Sequence, residues 1–544
     1  MKVSLDWLRE HVDIDQPVED VAHRLTMCGL NCEAIEVHGD DHVFELEVTS
    51  NRPDHLGHRG VARELACLLD QPLKPLKTDY SEVDKDSTGK GLSEITSIEV
   101  DDDDRCGRYT ARVALDVDVS ESPQWLRKRL ESIGLRSINL VVDLTNYVLM
   151  DLGQPLHAFD LDRLDGEELI IRRARYGEDF AAMDGTHHTL DTEDLVIADA
   201  SRAVALAGVM GGVETGVGST TRRILLESAW FDPVPVRSTS RRLGLASDSS
   251  YRFERRVDID AADIASRRFF HLLCQETDCK VLSGCWEAMR DGLLDPPAEV
   301  PIRLDRTELI LGESVPAAEL TRVLSALGFQ HAGGDDARSL WVPPTWRADC
   351  TREIDLIEEV GRIHGLDRVP DRQMAVRVVP EDRDAGLVER VKALLEGTGH
   401  HESLTFSFGS EGDHRELEEW WCLGDPWVVR NPVRSNEGVL RRSLLPGLLS
   451  CVRGNRLHGV DSVRLFEVAR VFHRREGVDR PVEKIHLAWV HSNADGSRPS
   501  EAYRQVRGIA DAVLELLRLG TESRSASTWN PVSTSCGLAG GSCA

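Results

Sequence analysis

Apolar residues recur at helical spacing near the start of the chain, at Trp7, Leu8 and Val12 and again from Val18 to Leu25, before a turn at Cys28-Gly29-Leu30. The alternating run Val43-Phe44-Glu45-Leu46-Glu47-Val48 predicts a strand leading into Thr49-Ser-Asn-Arg-Pro-Asp54, and Val61, Leu65, Leu68 and Leu69 predict a helix over 60–69. Residues 77–97 are polar with few apolar anchors and read as a linker or long loop. The acidic run Asp101–Asp104 reads as a solvated turn. Between 106 and 289 short strand signals, at 109–113, 168–172, 194–198 and 224–226, are interspersed with helical stretches at 123–133 and 261–276. That mixture predicts one α+β domain.

Pro296, Pro297 and Pro301 mark a seam. Beyond it, residues 301–370 pattern as a compact unit with strands at 302–304 and 339–342 and helices at 317–327 and 352–364. A charged, proline-containing stretch at 369–384 follows, then a last α+β region. There, helices are expected at 388–397, 445–455 and 503–519, with a strand at 463–472. Residues 520–544, rich in Ser, Thr, Gly and Cys, show no core-forming period and are expected to be disordered or to break off inside a domain.

The 544 residues allow roughly three or four domains at about 150 residues each. A net charge of −28 argues against a general nucleic-acid coat, whose affinity rests on neutralising phosphates, but leaves room for nucleic acid held by a partner or one local basic face. No stretch reaches the ~18 consecutive apolar residues of a membrane span, and the N-terminus lacks the features of a signal peptide. The twelve cysteines are scattered with no CxxC, which favours reduced, buried thiols and a cytoplasmic location.

Phosphate-loop, dinucleotide-fold and zinc-helix motifs are missing, as is a nucleophile elbow. His55 and His58 read as a surface pair rather than metal ligands. Gly208-Val-Met-Gly211-Gly212 reads as a tight turn whose backbone approaches something closely.

Three signals carry chemistry. Asp355, Glu358 and Glu359 share one helix face, with Asp349 just upstream. An oxygen-only cation site of the Mg²⁺ or Ca²⁺ type and a solvated acidic face balanced by Arg352 and Arg362 both fit that spacing. Thr145, Asn146 and His157, with Gln154, place polar groups among apolar neighbours, as a ligand pocket or a satisfied buried network would. Glu227 lies in the apolar strand pattern Leu226-Glu-Ser-Ala229, where a buried carboxylate needs a ligand group or an arginine from the 237–242 cluster.

These strings together resemble the beta subunits of bacterial phenylalanyl-tRNA synthetases. The matching elements include Lys2-Val-Ser-Leu-Asp-Trp-Leu8, Glu47-Val-Thr-Ser-Asn-Arg-Pro-Asp54, Val142-Asp-Leu-Thr-Asn-Tyr147 and Gly153-Gln-Pro-Leu-His-Ala-Phe-Asp160. They continue with Ser249-Ser-Tyr-Arg-Phe-Glu-Arg255, Pro344-Thr-Trp-Arg-Ala-Asp349, Glu353-Ile-Asp-Leu-Ile-Glu-Glu359 and Leu465-Phe-Glu467, in family order over residues 1 to about 519.

The resemblance implies a multidomain α+β chain. Its parts would be an N-terminal domain at 1–75, a linker at 76–105, an editing-type α+β domain at 106–290 and a small winged, DNA-binding-like domain at 298–370. A second linker at 371–385, an inactive class II synthetase-like antiparallel sheet with helices at 386–520 and an atypical tail at 521–544 would complete it. It further implies a two-alpha, two-beta ligase (EC 6.1.1.20) that attaches phenylalanine to its tRNA, with ATP and phenylalanine bound at the alpha subunit. Mg²⁺ would be held here by Asp349, Asp355, Glu358 and Glu359. The editing pocket, hydrolysing mischarged tyrosyl-tRNA, would be lined by Thr145, Asn146, His157, Gly211 and Gly212, with Glu227 accepting the tyrosyl hydroxyl.

Two departures stand out. Only residues 31–46 bridge the position where the family inserts a tRNA-binding module, and the expected C-terminal anticodon-binding domain is not matched. A freestanding editing hydrolase and a non-catalytic scaffold are therefore the rival readings.

Overall fold

Ser4 ends the first strand, β1 (Lys2–Ser4), and caps the first helix, α1 (Leu5–His11), its hydroxyl accepting from Trp7 N at 3.1 Å. In the computed structural model, residues 1–517 are described, apart from 296, 370, 372, 374–382, 413–424, 476 and 493–498. The expectations for most of 371–385 and all of 521–544 lie outside the described residues. The chain divides into two units, Met1–Arg372 and Gln373–Ala544. It is a mixed α+β, multidomain protein.

In the first unit, β2 (Cys32–His38) and β3 (Asp41–Leu46) form an antiparallel hairpin, with Gly39 at φ +64° in its turn; β3 lies between β1 and β2. The hairpin occupies the stretch where the family resemblance expects an inserted module. Helix α2 (His58–Leu69) packs Val61, Leu65 and Ala66 into the same core as Val300, Ile302, Trp341, Leu356 and Val360. Thus two stretches expected as separate domains, 1–75 and 298–370, share one hydrophobic core. The later stretch contributes an antiparallel sheet of Val300–Arg303, Arg338–Val342 and Gln330–Gly334, and helix α3 (Glu353–His364) packs beside it.

Two sheets build the middle of the unit. The expected linker at 76–105 contributes an edge strand to each, Glu82–Val83 to the six-stranded sheet and Ser97–Val100 to the five-stranded one. Ser97–Val100 is an edge strand, parallel to Glu168–Arg173, and its alternate residues Ile98 and Val100 turn inward. This five-stranded sheet continues through Leu195–Ala198, Ala203–Leu206 and Met210–Gly211. The second sheet centres on Ile224–Trp230, flanked by Arg108–Leu115 and Leu156–Asp160.

One face of the second sheet, with Tyr109, Ala111, Phe159, Leu225 and Ala229, packs toward the five-stranded sheet. The other face, with Ala114, Ala158, Ile224 and Leu226, is covered by helices Gln124–Ser132, Leu140–Leu152 and Ala261–Glu276.

The second unit pairs Val463–His473 antiparallel with Val482–Ser492 over eleven residues, and His401–Glu402 lies parallel beside the first of these. Val391 and Leu395 of helix Arg383–Gly397 and Ile509 and Val513 of helix Pro499–Leu516 close its core on Phe466.

Candidate functional site

Strand Ile224–Trp230 is buried at all seven positions, so side-chain parity decides what each residue meets. Glu227 shares parity with Leu225 and Ala229 and therefore points into the space between the two sheets. Its cross-strand neighbours are His157 on one side and Ala111 on the other. His157 and Glu227 line a cavity of about 50 Å³, together with Met210, Gly211, Ser249 and Phe253.

Among the described residues the Glu227 carboxyl has one hydrogen-bond partner: the buried phenol of Tyr109 donates to its Oε2 at 3.2 Å. No arginine among the described residues pairs with it. Arg242, the sequence-level alternative, pairs instead with Asp194 and Asp191. With desolvation uncompensated by a cation, burial pushes Glu227 up to about 8, and the carboxyl is mostly neutral at pH 7.

Burial likewise pushes His157 down to about 4, which keeps the ring neutral. Its Nε2 is buried without a hydrogen-bond partner, and its ring stands edge-on to Phe159 at 4.4 Å between centroids. Gly211 is required by space: a Cβ there would lie 2.4 Å from His157 Cε1. The glycine-rich run is thus the close backbone approach expected from the sequence, and its target is the imidazole.

The structure brings together His157, Gly211 and Glu227 of the expected pocket. Gly212 stands just behind, its N–H donating to Val204 O at 2.8 Å. Thr145 and Asn146 are not among the cavity-lining residues. They lie on helix Leu140–Leu152, whose apolar residues pack on the opposite face of the sheet, and the Thr145 hydroxyl donates to Val142 O at 2.7 Å. Gln154 near the same motif serves the fold, donating to Ala229 O at 2.8 Å. Tyr109, Met210, Ser249 and Phe253 are cavity or support residues that sequence reasoning missed. Tyr109 could have been found from strand parity once the partner strand was known.

The four expected metal ligands do not converge. Asp349 accepts from Arg347 at 2.9 and 3.0 Å, and Glu359 is held by Arg347 and Arg362. Asp355 accepts from the backbone of Thr351 and Arg352 at the start of α3, while Glu358 is exposed. Guanidinium and N–H groups have taken the oxygen atoms of Asp349, Asp355 and Glu359 that a cation would need, so this arrangement does not fit Mg²⁺.

Those arginines belong to a buried network that joins the N-terminal segment to α3. Arg362 bonds Glu64 at 2.5 and 3.0 Å, and Arg52 bonds Glu64 at 2.6 Å and Asp54 at 2.8 and 2.9 Å. Asp54, His55 and Glu64 are the one group among the described residues with metal-ligand proximity, but Arg52 Nη2 already sits 2.5 Å from His55 Nε2. His55 and His58, expected at the surface, are both buried. His58 accepts from Ser4 N at 3.1 Å and stacks on Trp7.

Residues 105–277 match the family model of the B3/4 domain, residues 300–366 that of the tRNA synthetase B5 domain, and residues 369–536 that of the phenylalanyl tRNA synthetase beta chain CLM domain. This succession defines the class: an aminoacyl-tRNA synthetase chain. The phenylalanine–tRNA ligase beta subunit of Rhodopirellula baltica is 39% identical over 479 residues, covering 87% of this chain and 68% of that one. Those of Anaeromyxobacter dehalogenans and Salinibacter ruber are 42% and 40% identical, over 81% and 83% of this chain and 54% of each of theirs. The chain belongs to the phenylalanine–tRNA ligase beta subunit family. It spans about half the length of the latter two relatives. Among solved structures, an N-terminal fragment of the phenylalanyl-tRNA synthetase beta-subunit from Pyrococcus horikoshii aligns at a TM-score of 0.38 and 14% identity, covering 67% of this chain and 99% of that one.

Proposed function

We propose that this chain works with an alpha subunit in a two-alpha, two-beta phenylalanine–tRNA ligase, and that its Glu227 cavity hydrolyses tyrosine mischarged onto the phenylalanine tRNA. In this reading 106–290 is the editing domain, 298–370 a winged module and 386–520 a class II-like region without its own aminoacylation site. Phenylalanine and ATP bind at the alpha subunit, in the cytoplasm.

The carrying observation is the buried, cation-free carboxyl of Glu227 beside the unpartnered Nε2 of His157. A synthetic site for phenylalanine rejects an added hydroxyl only weakly, so discrimination needs a second pocket that requires the hydroxyl. A tyrosyl hydroxyl can bond the Glu227 oxygen that Tyr109 leaves free and the His157 Nε2, whereas a phenylalanyl side chain leaves the buried Nε2 unpaired. Leaving such a group unpaired costs about 1–3 kcal/mol. The ester is then cleaved by a water oriented at the cavity.

Mg²⁺ accompanies the ATP-dependent step, but Asp349, Asp355, Glu358 and Glu359 as arranged here do not supply its site. With a net charge of −28, phosphate neutralisation for tRNA is left to local faces and to the partner. Leu404 and Phe406 of the second unit, 84% and 76% exposed, are apolar surface suited to a protein partner.

Co-expression with the alpha subunit of the same genome, followed by size-exclusion chromatography and assays of phenylalanine charging and tyrosyl-tRNA hydrolysis, tests the proposal. A complex with both activities is expected. Failure to form a complex, with hydrolysis retained, would favour the freestanding hydrolase.

A further inference from the structure

Tyr109 is fully buried, and among the described residues its hydroxyl has one hydrogen-bond partner, the Glu227 carboxyl at Oε2, 3.2 Å away. The register explains the reach. Glu227 stands opposite Ala111, and Tyr109 is two residues along the same strand, on the same face and diagonal to the carboxyl. Glu227 Oε1 takes no hydrogen bond among the described residues, and neither does His157 Nε2 across the strand pair.

A carboxylic acid donates through one oxygen and accepts through the other. The oxygen that accepts the Tyr109 proton is the carbonyl-type oxygen, so the acid proton belongs on Oε1. Burial without a cation keeps that proton in place at neutral pH.

We propose that Tyr109 is a positioning residue that fixes Glu227 with Oε1–H presented to the cavity as a donor, so that a phenolic ligand accepts from Glu227 and donates its own O–H to His157 Nε2. This rests on the cavity being the tyrosyl-tRNA hydrolysis site. It reverses the role expected from sequence, in which Glu227 accepts the tyrosyl hydroxyl. An amide in place of the carboxyl keeps the same pattern, with the oxygen toward Tyr109 and the NH₂ toward the ligand.

The test compares wild type, Tyr109→Phe, Glu227→Gln, Glu227→Ala and Tyr109→Phe/Glu227→Ala, each as the full chain in complex with the alpha subunit. Hydrolysis of tyrosyl-tRNA is read as kcat and KM, and phenylalanine charging by the same complexes reports intact assembly. Glu227→Gln is expected to stay within about threefold of wild type, while Tyr109→Phe raises KM roughly tenfold with kcat little changed, the worth of one hydrogen bond. The double variant should be no worse than Glu227→Ala, because Tyr109 acts through Glu227.

If Glu227→Gln is as damaged as Glu227→Ala, the donor arrangement is overturned. If Tyr109→Phe matches wild type, or its loss multiplies with that of Glu227→Ala, the positioning role is overturned. If the wild-type complex charges tRNA but does not hydrolyse tyrosyl-tRNA, the editing reading itself falls, and this inference with it.

Discussion

His157 and Glu227 face each other across adjacent antiparallel strands, and burial holds both of them neutral near pH 7 by shifting their titrations in opposite directions. For Glu227, raised from an ordinary 4.5 to about 8, the folded state holds the proton more tightly. Its contribution to stability is complete below about pH 4.5 and is lost as the pH rises to 8. For His157, lowered from 6.5 to about 4, the contribution is complete above 6.5 and is lost as the pH falls to 4. The two slopes oppose each other where the windows overlap, between about pH 4.5 and 6.5, and of the two only the Glu227 slope remains above pH 6.5. Glu227→Gln should therefore abolish a decline in urea stability between pH 6.5 and 8 that wild type shows; parallel pH profiles for the two proteins would contradict it.

Gly211→Ala places a methyl group 2.4 Å from the His157 ring and must displace the imidazole from its place in the cavity wall. Loss of tyrosyl-tRNA hydrolysis with phenylalanine charging retained is the expected result. Unchanged hydrolysis would show that the backbone wall is not part of the site.

Removing one member of the buried charge network leaves its partners short of a counter-charge. Arg362→Ala takes one of two arginines from each of Glu64, which keeps Arg52, and Glu359, which keeps Arg347, and should cost about 3 kcal/mol in urea unfolding, the low end for a broken buried pair. The flanking arginines hold the Glu359 carboxyl down to about 2, against an ordinary 4.5. Its stabilisation is therefore present above pH 4.5 and lost as the pH falls toward 2. Glu359→Gln should accordingly lessen the steepness of acid unfolding; an unchanged acid limb would count against the network.

Isothermal titration of Mg²⁺ should give the same result for the parent chain and for Glu358→Ala, since Glu358 is exposed and its expected co-ligands are engaged by arginines and backbone N–H groups. Binding that disappears in Glu358→Ala would restore the acidic set as a cation site.

Local pattern made much of this legible. The helix expected at 261–276 and the strand expected at 463–472 appear within a residue of their observed bounds, at Ala261–Glu276 and Val463–His473. Glu227 stood out because a lone acid in an apolar strand demands a reason. Its reason was not legible, since the choice between an arginine and a phenol depends on which strand lies beside it. Thr145 and Asn146 fail for a related cause: proximity in sequence to His157 does not reveal that a helix covers one face of a sheet and the cavity lies on the other. The acidic face of α3 was visible from its spacing, but its neutralising groups come partly from Arg347, outside the helix, and the network extends to Glu64, 298 residues from Arg362.

That last separation has a consequence for the order of events on the ribosome. The first 70 residues share their core with 300–363, so the segment made first cannot be finished until the segment beyond residue 300 has emerged. At roughly 5–20 residues per second, the wait is on the order of 15–60 s. Throughout it, the apolar face of α2 lacks the part of its covering that 300–363 supply, and Glu64 has Arg52 without Arg362. The N-terminal segment is thus the earliest part of this unit to be synthesised and among the last to be secured.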